Sequence, residues 1–225
     1  YAATLRAGIS LERATPSSSL GPPQPAQEGH NTTQYDVLDA KGNAVSVTYT
    51  LNDWFGAHRV AGSTGILVNN EMDDFTSLVG APNMYGLVMG EANAIQPGKR
   101  PLSSMAPTVV TKDGKLFMVT GSPGGSRIIT IVLESILNVI DQKMDMKAAV
   151  NTPRIHHQWM PDTVYVEPGA LTPAVKTELE GRGYSFTENR NWGSTQAILI
   201  GARKGKRVLY GANDDRDITS AAVGY

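Results

Sequence analysis

Thr32 stands where a Pro- and Ser-rich stretch ends and a strand-like alternation begins, in the run His30-Asn31-Thr32-Thr33-Gln34-Tyr35. A threonine hydroxyl is a poor nucleophile unless a base lies beside it, and the nearest candidate is the residue's own α-amine. That amine exists only after the Asn31-Thr32 peptide is cut. The position therefore fits a self-made catalytic N-terminus, and equally the plain β-former that most threonines at strand starts are.

A second chemical signal is Thr120-Gly121-Ser122-Pro123-Gly124-Gly125-Ser126-Arg127, between an expected strand and an expected helix. Two successive glycines let backbone N–H groups converge at the positive end of a helix dipole, which suits a phosphate or a transient oxyanion. No Gly-Lys-Ser/Thr follows, so it is not a nucleotide P-loop. A tight strand-to-helix turn explains the string about as well.

Thr48, Thr50 and Asn52 share one face of a strand by period-2 alternation, a polar set that is usually solvated. Asn69-Asn70-Glu71-Met72-Asp73-Asp74-Phe75 puts carboxylates in a loop, fit to receive an ammonium, although loop acids are mostly surface. Ser103 and Ser104 add hydroxyl donors with no histidine base in evident reach. His156 and His157 are adjacent and point apart on extended backbone, so neither a metal nor a cofactor is expected. Asp214-Asp215-Arg216-Asp217 lacks the features of a calcium loop and reads as a solvated turn.

The elements that must position these groups are legible in outline. Segments 34–39 and 44–51, 108–111 and 116–120, and 196–200 and 207–210 read as three β-hairpins around glycine turns, implying an antiparallel sheet with one face buried. Residues 127–141 are apolar nearly all round and predict a buried helix; 172–182, opened by Pro173 and closed by Gly183, predicts another. The class is α+β, in layers. Residues 69–101 form a long aperiodic stretch of the kind that is functional or disordered. The 225 residues carry 40% apolar side chains, 18% charged ones, a net charge of -1 and no cysteine. This balance argues against nucleic acid as a partner and excludes disulfides. No apolar run approaches the ~20 residues of a membrane helix. The opening Tyr1 and the helix-like residues 1–13 suggest the C-terminal part of a longer product, with 14–29 as an exposed, cleavable linker.

Together, these motifs, with Gly65-Ile66-Leu67-Val68-Asn69-Asn70 and Lys99-Arg100-Pro101-Leu102 alongside them, closely resemble the γ-glutamyltranspeptidase family. The similarity covers residues 32–225, matching a catalytic small subunit, with residues 1–31 resembling the tail of the large subunit and its processing linker. The resemblance implies an N-terminal-nucleophile hydrolase with a four-layer αββα sandwich shared by two subunits of one autocatalytically cut zymogen. It implies Thr32 as nucleophile, Thr50 as the residue that orients it, and Gly124 and Gly125 as the oxyanion hole. Asn52, Glu71 and Asp74 match positions that hold the substrate α-ammonium, Ser103 and Ser104 those on the α-carboxylate, and Tyr85 the tyrosine of a lid loop. The implied substrates are glutathione, glutamine and related γ-glutamyl compounds, transferred to water or to an amino acid or peptide. The implied partner is the large subunit, which would supply an arginine for the α-carboxylate, and the implied location is periplasmic or secreted. Trp54 is bulkier than expected beside such a site and is expected to narrow the acceptor side. Two rivals stay open: a glutaryl or cephalosporin acylase of the same superfamily, and a non-catalytic anion-binding module built on the glycine turn.

Overall fold

A computed structural model describes residues 1–19, 32–190 and 192–224. Asn31 and most of the linker lie outside the described residues.

Helix α1 (Ala2–Ala7) buries no side chain. Strands β1 (Thr32–Leu38) and β2 (Ala44–Thr50) form the first hairpin, in register from Thr32 opposite Thr50 to Leu38 opposite Ala44. Strands β3 (Thr108–Lys112) and β4 (Lys115–Gly121) turn at Asp113-Gly114. Helix α2 (Ile128–Ile140) and short helix α3 (Met146–Asn151) follow. Next come β5 (Ile155–His156), β6 (Val164–Val166), helix α4 (Pro173–Gly181) and β7 (Phe186–Glu188). The chain returns through β8 (Gln196–Arg203) and β9 (Lys206–Asn213).

All three expected hairpins form, but they do not make one sheet. The second and third join in the order β3-β4-β8-β9, and the first stands apart as a two-stranded layer stacked on β3, β4 and β8. On the other face of the four-stranded sheet, α2 and α3 pack through Met118, Val139, Met146, Ala149, Val150, Ala197 and Ala212, the main core. A third sheet, β5-β6-β7, includes a parallel pair that short, unpatterned strands did not announce.

Two surfaces depart from expectation. Helix α2 buries Ile128, Ile131, Val132, Ser135 and Val139, but Ile129, Leu133, Leu137 and Ile140 are exposed along one stripe, so it is covered on one face only. In the first hairpin the usual polarity is reversed. Tyr35, Val37, Val45 and Tyr49 face outward and are exposed, whereas Gln34 is buried against the four-stranded sheet. The inner face carries a polar cluster: Thr48 Oγ1 and Ser46 Oγ bond the Gln34 amide, Ser46 Oγ donates to the Thr120 carbonyl, and Gln34 Nε2 donates to Asp36 Oδ1, with burial pushing that carboxyl up to about 6. Gly121 makes room for that amide, since a Cβ there would sit 2.3 Å from it.

The expected C-terminal surface turn is instead part of the interior. Asp214 is fully buried, 2.5 Å from Arg154 Nη2 and 2.9 Å from Arg216 Nη1, and Arg216 also pairs with Glu167. Desolvation of a lone carboxylate at such a depth is prohibitive; two guanidinium groups and two backbone N–H groups make it tenable. Burial pushes the Asp214 carboxyl upward, but Arg154, those N–H groups and Arg216 outweigh it and hold it below the ordinary carboxylate value.

Candidate active site

The register of the first hairpin sets the centre of the site. Because Thr32 begins β1 and Thr50 ends β2, strand pairing places them directly opposite each other at the open end of the ribbon. The chain leaves β2 through Asn52, which adopts φ 74°, a left-handed conformation that asparagine tolerates better than most side chains. The Asn52 N–H donates to Thr50 Oγ1 at 2.9 Å, occupying one lone pair of that hydroxyl.

The glycine turn forms the facing wall. Gly124 has φ 144° and Gly125 φ 56°, and a Cβ on Gly124 would lie 2.8 Å from Ile131 Cδ1, so neither position suits a side chain. The turn leads through a 3-10 segment, Gly125–Arg127, into α2. Its carbonyls are committed: Gly124 O accepts from the Arg127 N–H at 3.1 Å and Gly125 O from Ser104 Oγ at 3.0 Å. Arg127 is buried with its guanidinium 4.7 Å from the Tyr165 ring and 4.3 Å from the Trp192 ring, a cation–π stack that anchors the start of the helix.

The stretch 69–101 is aperiodic but ordered by side-chain bonds to its own backbone. Asn83 Oδ1 accepts from the N–H groups of Tyr85 and Leu87, Asp73 Oδ2 from that of Met84, and Asn93 Nδ2 donates to the Asp74 carbonyl. These ties bring Tyr85 inward until it is buried, with its hydroxyl donating to Asn52 Oδ1 and also 3.1 Å from Asn52 O.

One cavity collects Thr32, Thr50, Asn52, Glu71, Asp74, Tyr85, Ser103, Ser104 and Gly125, with Gly124 the single expected site residue outside its wall. Met105 and Ile128, which no residue-type argument marked, complete the lining. Trp54 is 69% exposed and not part of this wall. The cavity has about 10 Å³ of free volume, room for a single water. Glu71 and Asp74 share a 3-10 turn, Glu71–Asp74, so their carboxyls crowd one place. Burial first, then the neighbouring Glu71, pushes the Asp74 carboxyl up to about 7. Burial and the same acids raise the Tyr85 phenol as well. A cation beside the raised Asp74 carboxyl would favour its ionised form, and an ammonium is a cation of that kind.

A threonine that begins a strand and shares one cavity with a glycine turn and two acids, in two stacked sheets with helices on the outer face of one of them, is the arrangement of an N-terminal-nucleophile hydrolase, and relatives of known structure agree. The sequence profile of the γ-glutamyltranspeptidase family matches residues 1–224. The chain is 54% identical over 231 residues to a glutathione hydrolase proenzyme of Pseudomonas sp. strain A14, covering 100% of this chain and 40% of that protein. It is 50% identical over 226 residues to that of Escherichia coli K12, covering 100% and 38%. A crystal structure of a threonine-to-alanine mutant of Helicobacter pylori γ-glutamyltranspeptidase superposes with a TM-score of 0.78 at 49% identity, covering 82% of this chain and 100% of that one. The chain belongs to the γ-glutamyltranspeptidase family. It spans about two fifths of the length of these curated relatives.

Proposed function

We propose that this chain is the catalytic part of an enzyme that transfers or hydrolyses γ-glutamyl groups, with Thr32 as nucleophile. The carrying observation is the single cavity that joins Thr32, Thr50, the Glu71/Asp74 acids, Ser103, Ser104 and the glycine turn. In maturation the Thr32 hydroxyl attacks the Asn31 carbonyl and the acyl group shifts from nitrogen to oxygen, which breaks the peptide bond and frees the α-amine; water then opens the ester, releasing the Asn31 carboxyl and restoring the Thr32 hydroxyl. In turnover that amine takes the hydroxyl proton as Thr32 attacks the γ-amide carbon. Gly124 and Gly125 stabilise the resulting oxyanion by their N–H groups, a donor type whose loss costs about 100- to 1000-fold in rate. The tetrahedral intermediate expels the amine, which takes the proton back, and leaves a γ-glutamyl ester on Thr32. Water or an amino group, deprotonated by the same α-amine, then releases the γ-glutamyl group.

Asn52, Glu71 and Asp74 hold the substrate α-ammonium in this reading, while Ser103 and Ser104 hold its α-carboxylate. The partner is the preceding part of the same precursor. The outward apolar faces of the first hairpin (Tyr35, Val37, Val45, Tyr49) and of α2 (Ile129, Leu133, Leu137, Ile140) support a covering polypeptide, since exposed apolar patches mark contact surfaces.

The acylase reading is disfavoured by Asp74. A glutaryl group brings no ammonium, and the half-buried acid pair would then face no cation. Comparing turnover of a γ-glutamyl anilide with a glutaryl anilide, on the whole matured protein, decides between them. Preference for the γ-glutamyl compound is expected, and equal or better turnover of the glutaryl compound contradicts the reading.

The raised Asp74 carboxyl also sets a pH dependence. Binding an ammonium requires the ionised acid, and below about 7 the free site must first lose a proton. Inhibition by L-glutamate, whose amine stays charged throughout, should therefore tighten about tenfold from pH 6 to pH 8. The Thr32 α-amine titrates nearby, with an ordinary value of roughly 7.7–8.0. Asp74→Asn separates the two groups: it should bind L-glutamate weakly and lose most of that pH dependence. An unchanged profile in Asp74→Asn would assign the titration elsewhere.

A further inference from the structure

Gln158, in the loop after β5, bonds to both walls of the cleft at once. Its Nε2 donates to the Met160 carbonyl at 3.1 Å and makes a long contact of 3.4 Å to the carbonyl of Tyr85. Its Oε1 accepts from Ser126 Oγ at 2.7 Å, beside Gly125 in the glycine turn. The amide orientation follows from these partners, because two carbonyls require the NH2 side and a hydroxyl proton the oxygen side. His156 Nε2, 3.1 Å from the same Oε1, must then carry a proton, and His156 Nδ1 accepts from Thr130 Oγ1 at 2.9 Å. That neutral form is secured by burial, which together with nearby Arg127 and His157 lowers the imidazole to about 4 despite the bond to Gln158.

We propose that Gln158 is a positioning residue that latches the Tyr85 segment to the glycine turn, so that the lid closes over the donor in register with the Gly124 and Gly125 N–H groups, which the Gln158–Ser126 bond helps to hold in place. This rests on the γ-glutamyl-transfer reading above. From the lid, the path runs from Asn52 through the Tyr85 hydroxyl and carbonyl to Gln158, then to Ser126 and the turn, whose Gly125 carbonyl is held by Ser104. The cavity beneath has about 10 Å³ of free volume, so a γ-glutamyl group fits only if part of the wall shifts, and Tyr85 belongs to that wall. The weak member of the chain, the 3.4 Å contact, is the one that has to break and re-form at each turnover, while the 2.7 Å bond to Ser126 stays with the turn.

The test uses the matured two-subunit protein and a γ-glutamyl anilide. Gln158→Glu keeps an acceptor for Ser126 and His156 but cannot donate to Tyr85, so the donor KM should rise about 3- to 10-fold with kcat within about twofold. Gln158→Met loses both ties, so kcat should fall as well. Tyr85→Phe removes the lid's other anchor, and the Gln158→Glu/Tyr85→Phe double variant should raise KM by less than the product of the single effects, because one released lid cannot be released twice. Wild-type KM in Gln158→Glu, or fully multiplicative effects in the double variant, would overturn the latch while leaving the functional reading intact. A wild-type protein with no turnover of the anilide would overturn the functional reading, and the latch with it.

Discussion

Thr32→Ala in the full-length precursor is expected to leave it uncut and to lower γ-glutamyl anilide turnover by on the order of 10^5- to 10^6-fold. The size follows from what one substitution removes. The hydroxyl is the attacking group in both proposed reactions, and without the first cleavage the α-amine that serves as base is never freed. Strand pairing with Thr50 would keep the backbone in place, because alanine disturbs neither the β1–β2 register nor the buried Gln34 face. A well-folded but inactive protein is therefore the expected product, and Thr32→Ser, which retains hydroxyl and amine, should recover cleavage and part of the turnover. Thermal melts and initial rates on the three proteins check this. Substantial turnover by Thr32→Ala would remove Thr32 from the chemistry.

The second large effect is on stability. Asp214→Ala is expected to destabilise the protein by about 3–5 kcal/mol, because it strands a buried guanidinium rather than deleting a complete pair. Arg154 is almost fully buried, and its remaining bonds go to Val150 O, Trp192 O and Thr195 Oγ1, none of which carries charge. The Thr195 N–H also loses its acceptor. The melting temperature should drop by roughly 10–15 °C. Asp214→Asn, which can still accept from Thr195, should lose less. Arg154 bonds the Trp192 carbonyl, Trp192 stacks on Arg127, and Gly193 lies against Gly124, so activity should fall with the melt. The acid side of the stability profile checks the sign. Asp214 sits below its ordinary 3.8, so its contribution is full above that value and is lost as pH falls through the lower folded value. A melt unchanged in Asp214→Ala would mean the cluster is dispensable.

What the sequence disclosed and what it hid divide along physical lines. Hairpins and helix starts are local, and they were legible: Lys204-Gly205 and Asp113-Gly114 turn where expected, and Pro173 opens α4. The glycine turn was legible as a special backbone, since positive φ at Gly124 and Gly125 is a requirement on residue type. The grouping of Thr32, Asn52, Glu71, Asp74, Ser103 and Ser104 around it was carried by family resemblance, because no periodicity links positions so far apart. The inside of the first hairpin could not be read from alternation. Its apolar residues point outward, and its polar ones bond one another across the hairpin and face a sheet that is distant in sequence. Asp214 misled for the same reason: its partner Arg154 is 60 residues away, and a run of acids with one arginine has the composition of a surface. Gln158 carried no signal at all, since a hydrogen-bond junction between two loops has no spacing rule.

The central claim is that Thr32 is made into an N-terminus and then acts as the nucleophile. Intact mass and N-terminal sequencing of the full-length protein after purification and incubation test it most directly. The account predicts two chains, the smaller beginning at Thr32, with a single uncut chain in Thr32→Ala. A wild-type protein that stays whole yet turns over a γ-glutamyl anilide, or one cut at a different bond, would contradict it.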